Sequence, residues 1–365
     1  MKIKIPSYLA DLPVYVPGKP IAETAKEYGI ENPVKLASNE NALGASPNAI
    51  NAMEAALKDI NRYPDAAGRE LRQKLAERFS VLSNEIVLGN GSGDILSLLA
   101  QILLTPQDEV IISEGAFSLY EIVAQSAGAS VVKVPLTDFA IDLNAIADAI
   151  TPSTQIIFLT SPNNPTGLTI SQQALQEFLD KIPPEILVVL DEAYIEFATD
   201  SDTANGIWFL QNGYSVVVLR TFAKIFGLAG VRIGVGIMPA KLAAILQRVR
   251  MPFNVNLLAQ VGAIAALDDT DFLTRTLKMV ADGKKQLEKG LADLGVSYLS
   301  SQANFILILL GDQNADTLQK ELLKKGVIVR SAQSFGFPNA IRVTIGTFSE
   351  NERFLTAFAQ MWKPE

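Results

Sequence analysis

Seven short apolar runs, at 86–88, 110–112, 131–134, 156–159, 186–190, 216–219 and 233–237, constrain this chain's fold more than any other feature. Continuous apolar runs without polar alternation belong to strands buried on both faces. Helix-period segments lie between several of them, at 95–104, 119–127, 143–150 and 171–179. The alternation predicts an α/β fold, with a mostly parallel seven-stranded sheet between helices in one large domain. Amphipathic helices are expected ahead of it at 47–59 and 69–79. Beyond Pro252-Phe253-Asn254 a mainly helical stretch runs to 294. Strand-like 305–310, a helix at 315–325 and strands at 327–330 and 341–345 then predict a smaller α+β domain. Residues 1–34, interrupted by Pro6, Pro13, Pro17 and Pro20, are expected to be irregular. The expected boundaries are 1–45 for an N-terminal arm and part of the small domain, 46–250 for the large domain and 251–365 for the small one.

A length of 365 residues fits two domains. The chain has no cysteine, which excludes disulfides and thiolate chemistry, and no histidine, which removes the commonest general base and metal ligand. No metal site is expected. Chemistry must come from Lys, Tyr, Arg, carboxylates and backbone, arranged around a cofactor. A net charge of −8 without a dense basic patch argues against nucleic acid. No apolar run reaches membrane-spanning length and no signal peptide is evident, so a cytoplasmic protein is expected.

The polar residues that follow the strands carry the chemical signal. Lys224 emerges where the run 216–219 ends, in R-T-F-A-K, with Thr221 before it and Arg232 after it. A lysine at such a place can lose its proton on desolvation and attack a carbonyl, and Arg232 can neutralise an anion beside it. A solvated surface pair is the plain alternative. Gly89-Asn90-Gly91-Ser92-Gly93-Asp94 joins a strand to a helix, a turn whose amides suit an anion but whose spacing is not that of a dinucleotide fingerprint. Asp191, with Tyr194 three residues on, either partners a heterocyclic nitrogen or caps a helix. Ser161-Pro162-Asn163-Asn164-Pro165-Thr166-Gly167 is either a ligand-facing turn or a connector. Phe117 either covers a flat ring or packs in the core.

Taken in order, G-N-G-S, S-P-N-N-P-T-G, D-E-A-Y, R-T-F-A-K-I-F-G-L-A-G-V-R and I-R-V-T-I-G-T resemble the pyridoxal-phosphate-dependent aminotransferases of fold type I, and among them the histidinol-phosphate aminotransferase family. The resemblance runs from about residue 35 to 347. It implies pyridoxal 5′-phosphate joined covalently to Lys224, which also moves the substrate's Cα proton. Asp191 is implied at the pyridinium nitrogen, Tyr194 and Asn164 at the phenolic oxygen, and Phe117 over the ring. Ser92, Gly93, Thr221 and Arg232 are implied at the phosphate, with Tyr63 reaching it from a second subunit of a homodimer with shared sites. Arg342, Arg330 and Asn39 are implied on the substrate side. Ala223, where the family usually has serine, leaves more of the phosphate contact to Thr221. Gly93-Asp94, Glu114-Gly115-Ala116 and Ala42 also depart from the family's pattern.

The partners implied are a small-molecule amino donor and an oxo acceptor: histidinol phosphate with glutamate and 2-oxoglutarate. An aromatic amino-acid aminotransferase, a decarboxylase of phosphorylated amino acids and a non-catalytic sensor of the same fold are the alternatives. The last normally carries a basic helix-turn-helix segment, and this N-terminus offers none.

Overall fold

The computed structural model describes residues 3–10, 12 and 21–362. Its main sheet has seven strands: β1 (Ile86–Gly89), β2 (Glu109–Ser113), β3 (Ser130–Val134), β4 (Thr154–Thr160), β5 (Leu187–Asp191), β6 (Val216–Thr221) and β7 (Gly234–Ile237). Their order across the sheet is β1-β7-β6-β5-β4-β2-β3. Only β7 runs against its neighbours, pairing antiparallel with β1 and β6. The remaining pairs are parallel.

The apolar runs are continuous because each strand feeds two cores. Along β5, Val188 and Leu190 pack on one face, and Leu187 and Val189 on the other. Along β6, Val216 and Val218 take the first face, and Val217 and Leu219 the second. Helices Ser92–Leu103 and Ser118–Ser126 cover that second face, supplying Ile95, Leu96, Leu99 and Tyr120. Strand alternation carries this pattern to the carboxyl ends. Asp191 and Thr221 fall on the face of the second core. Glu192 and Arg220 fall on the face of the first.

A three-stranded sheet follows, with β8 (Phe305–Leu309), β9 (Arg330–Ser331) and β10 (Ala340–Thr344) in the order β8-β10-β9. Val34–Lys35 pairs in parallel with Val327–Ile328, so the segment entering the main fold is tied to the C-terminal part. Helix Leu257–Leu267 lies against helices Pro47–Ala56 and Arg69–Phe79.

Several elements differ from expectation. A helix at Ile21–Tyr28 stands within the stretch expected to be irregular, of which residues 1–2, 11 and 13–20 lie outside the described residues. The expected helix at 47–59 is α-helical only to Ala56, then tightens to a 3₁₀ turn at Leu57–Asp59. Helices Gly206–Gln211 and Phe348–Ala359 have no counterpart among the expected elements. The last opens with a capping box in which Glu350 N–H donates to the Thr347 hydroxyl while Glu350 accepts from Thr347 N–H.

Candidate active site

One cavity of about 380 Å³ opens at the carboxyl ends of β4, β5 and β6, where open α/β sheets bind ligands. Of the residues singled out above, it is lined by Asn39, Ser92, Gly93, Phe117, Asn164, Asp191, Tyr194, Thr221, Lys224, Arg232, Arg330 and Arg342. Tyr63 is not among them. Its ring is 82% exposed and stacks on Phe253 at 4.4 Å, with 16° between planes.

At one end of the cavity, helix Ser92–Leu103 begins. Gly91 precedes it with φ +84°, in the left-handed region that glycine adopts without cost. A Cβ on Gly91 would sit 2.4 Å from Arg232 Nη2, so a larger residue there would push the guanidinium away from the helix end. Gly234 of β7 is equally constrained, because a Cβ there would lie 2.2 Å from Ser92 N. Arg232 itself has φ +61° and donates from Nη1 to Ala229 O at 3.1 Å. First-turn amides without intrahelical acceptors, the helix dipole and a guanidinium thus converge on one point, a site suited to a phosphate. Asp94, the acidic residue of this turn, bends back to accept from Asn90 N and Asn254 Nδ2.

Asp191 lies at the middle. It is not a helix cap: Oδ1 accepts from Ala193 N at 3.1 Å and Oδ2 from the Tyr120 hydroxyl at 2.7 Å. Burial pushes its pKa from 3.8 to about 6, against the lowering pull of those hydrogen bonds and of Lys224. A buried carboxylate held in this way calls for a cationic partner. Burial likewise drives the Tyr120 phenol well above its ordinary value, so it serves as a neutral donor. Tyr120 stacks on Phe158 at 5.0 Å, and Phe117 meets it edge-on at 5.8 Å.

Lys224 Nζ donates to Ser38 O at 3.1 Å and lies 5.6 Å from the centre of the Tyr194 ring. The turn that presents it is held by Ala223 N donating to Thr221 Oγ1 at 3.0 Å. Gly227 closes the turn where a Cβ would come within 2.0 Å of Gly44 O. The Tyr194 hydroxyl accepts from Asn39 Nδ2 at 2.9 Å.

On the side toward the smaller sheet, Arg330 and Arg342 stand directly opposite each other on β9 and β10. Arg342 is buried. It donates to Asn164 Oδ1 at 2.5 Å and to Ala37 O at 2.7 Å. Both guanidinium carbons lie 5.8 Å from the Phe335 ring centre. Like charges directly across a strand pair are unfavourable unless an anion joins them. Although the chain is acidic, the cavity holds Lys224, Arg232, Arg330 and Arg342 against the single carboxylate of Asp191.

Sequence reasoning missed Tyr120, Thr160, Ser334 and Phe335, all of which line the cavity. For Tyr120 the available signal was an aromatic three residues after Phe117, at the start of a helix. The others carry no local mark.

The donor set fits pyridoxal phosphate. The helix end with Arg232 suits its phosphate, Asp191 its ring nitrogen, Tyr194 its phenolic oxygen and Lys224 its aldehyde. Among the described residues no group of three or more acidic side chains could hold a metal, and no helix is long and apolar enough to cross a membrane.

The sheet and the lysine-bearing strand end define a fold type I aminotransferase architecture. A crystal structure of histidinol-phosphate aminotransferase from Sinorhizobium meliloti in complex with pyridoxal-5′-phosphate superimposes with a TM-score of 0.89 at 25% identity, covering 98% of this chain and 97% of that one. A Thermus thermophilus aspartate aminotransferase variant shares the fold, with a TM-score of 0.85 at 24% identity over 98% and 99% of the two chains. In sequence, histidinol-phosphate aminotransferase 2 of Pseudomonas fluorescens is 47% identical over 95% of this chain and 94% of its own length. The Moorella thermoacetica histidinol-phosphate aminotransferase is 43% identical over 95% and 90%. Residues 31–358 match the family described as aminotransferase class I and II, and the chain belongs to it.

Proposed function

We propose that the chain uses pyridoxal 5′-phosphate to transfer the amino group of histidinol phosphate to 2-oxoglutarate, a step of histidine biosynthesis. The facing pair Arg330 and Arg342 carries this reading, since two guanidinium groups in register suit substrates whose far end is a phosphate or a carboxylate. The names of the relatives at 43–47% identity support it.

Pyridoxal phosphate, when bound, supplies a ring that withdraws the electron pair left when the substrate's Cα loses its proton. Asp191 accepts a hydrogen bond at the ring nitrogen and keeps that nitrogen charged. The first-turn amides of Ser92 and Gly93, the Thr221 hydroxyl and Arg232 hold the phosphate. Tyr194 and Asn164 orient the phenolic oxygen, and Phe117 covers the ring. Lys224 Nζ would take the proton from Cα and return it to the carbon on the far side of the amino nitrogen. Arg342, with Arg330, anchors the anionic end of each substrate so that Cα stays within reach of Lys224. Asn39 lies on this substrate side.

We further propose a cytoplasmic homodimer in which Tyr63 completes the partner's phosphate site. Support comes from the exposure of the Tyr63 ring beside Phe253, at 82% and 38% respectively. The division into 46–250 and 251–365, with 1–45 joining the smaller part, is supported by the pairing of Val34–Lys35 with Val327–Ile328.

The test is a half-reaction screen. Protein loaded with pyridoxal phosphate is mixed with histidinol phosphate, glutamate, phenylalanine or tyrosine, and conversion to pyridoxamine phosphate is followed by absorbance. Histidinol phosphate and glutamate should convert it with the highest kcat/KM. Conversion by the aromatic amino acids but not by histidinol phosphate overturns the substrate assignment. Release of carbon dioxide from a phosphorylated amino acid added to the screen would make the chain a decarboxylase.

A further inference from the structure

The Tyr194 hydroxyl lies at the end of a chain of hydrogen bonds that leaves its proton one direction in which to point. Asn39, buried and with φ +55°, donates its backbone N–H to Thr344 Oγ1 at 3.0 Å. That bond makes the Thr344 oxygen an acceptor, so its own proton is free to donate. It does so to Asn39 Oδ1 at 3.1 Å. With its oxygen thus engaged, the Asn39 amide must present Nδ2 to its other neighbour, the Tyr194 hydroxyl oxygen, at 2.9 Å. In this orientation each hydroxyl of the chain accepts one hydrogen bond and keeps its own proton to donate, and the buried amide uses both of its ends. Asn304 Nδ2 pins the same residue from behind, donating to Asn39 O at 3.1 Å.

We propose that Asn39 and Thr344 are positioning residues that turn the Tyr194 proton into the cavity, so that Tyr194 acts there as a hydrogen-bond donor to an oxyanion. The inference rests on the reading of Tyr194 as the partner of the cofactor's phenolic oxygen. It replaces direct substrate contact as the role of Asn39. It also accounts for the left-handed backbone at a buried non-glycine residue, the conformation that brings its N–H and side chain onto one threonine. Hydrogen bonds in such a chain polarise one another, so donation into Tyr194 strengthens donation out of it.

The experiment is a double-mutant cycle read by spectroscopy. Pyridoxal phosphate joined to a lysine would change its visible absorption as the proton shared between the linking nitrogen and the phenolic oxygen is lost, and a donor to that oxygen lowers the pH of the change. The midpoint is measured for the wild type, Asn39→Ala, Tyr194→Phe and the double variant. Asn39→Ala should raise the midpoint by about one pH unit, the scale of a weakened charge-assisted hydrogen bond. In the Tyr194→Phe background it should move nothing. Thr344→Val should raise the midpoint as Asn39→Ala does, while Thr344→Ser should restore the wild-type value; this pair carries the test if Asn39→Ala does not fold. An unmoved midpoint in these variants, or an equal shift with and without the Tyr194 hydroxyl, overturns the relay and leaves the cofactor assignment standing. A wild-type chain that takes up no pyridoxal phosphate overturns the assignment and the relay with it.

Discussion

Asp191→Asn should make the cofactor-free protein more stable while disabling the enzyme. Burial holds the Asp191 pKa at about 6, above its ordinary 3.8, and the folded chain therefore binds the proton more tightly than the unfolded one. A carboxyl raised in this way costs stability as it ionises: nothing below pH 3.8, progressively more between 3.8 and 6, and a constant amount above. At 1.36 kcal/mol per tenfold change in proton affinity, the cost above pH 6 is about 3 kcal/mol, and at pH 5 about 1.5 kcal/mol. Asparagine keeps the shape and carries no charge. Its Oδ1 can still accept from Ala193 N, and its Nδ2 can donate to Tyr120, whose proton then turns to Thr160 Oγ1 at 2.9 Å.

The assay is denaturant unfolding of cofactor-free wild type and variant from pH 5 to pH 8. The variant's advantage should grow from about 1.5 to about 3 kcal/mol over that range. No histidine exists in the chain to titrate near pH 6, and Glu196, whose pKa burial also raises, is present in both proteins and cancels in the difference. An advantage that is absent at pH 8, or that stays constant with pH, would refute the argument that Asp191 is held at the expense of stability. With pyridoxal phosphate bound the order should invert. Turnover should fall by roughly a thousandfold, about 4 kcal/mol of barrier, when the ring nitrogen loses its carboxylate.

Four further outcomes are expected. Lys224→Ala should retain pyridoxal phosphate only loosely and show no transamination; borohydride labelling of any other lysine in the wild type would contradict the assignment. Arg342→Lys keeps the charge but loses the planar fork, so KM should rise for glutamate and histidinol phosphate alike, about tenfold or more. Glu192→Ala should destabilise the fold by about 3 kcal/mol in urea unfolding, because it leaves the half-buried Arg220 guanidinium with only the longer 3.4 Å contact to Glu196. A hybrid dimer of one Lys224→Ala and one Tyr63→Ala subunit should recover about half of wild-type activity, since one site takes both lesions and the other neither; no recovery in proven hybrids would confine Tyr63 to its own subunit.

The strand ends were legible in the sequence because a doubly buried strand must be apolar throughout, so its last residue announces itself by polarity. Asp191, Thr221 and the Gly-rich turn before Ser92 could be found in that way. Tyr120 could not. Its contact with Asp191 exists because β2 lies beside β4, which pairs Thr160 with Asp191 and brings the helix after β2 over both. Neighbour order in a sheet leaves no local trace. Asn39 was noticed, but its direction depends on a left-handed backbone and on Thr344, which is 305 positions away. The helix Phe348–Ala359 is a different matter, since the T-F-S-E capping box at its start was readable.

The dipeptides at the ends of β5 and β6 show how alternation makes a site from two strands. In Asp191-Glu192 and in Arg220-Thr221, one residue faces the cavity and its neighbour faces the opposite core. The two outward residues meet there, Arg220 Nε donating to Glu192 Oε2 at 2.7 Å with the Glu192 side chain fully buried. Glu192 Oε1 also accepts from Gly206 N at 2.8 Å, and the Arg220 guanidinium lies 5.5 Å from the centre of the Phe79 ring. The ion pair ties adjacent strand ends together beneath the cavity floor, which fixes how far apart Asp191 and Thr221 stand above it. Reversing the order within either dipeptide would send the cavity residue into the core and an unpaired charge into the cavity. Loss of Glu192 should therefore loosen the hold on a cofactor that Glu192 never touches.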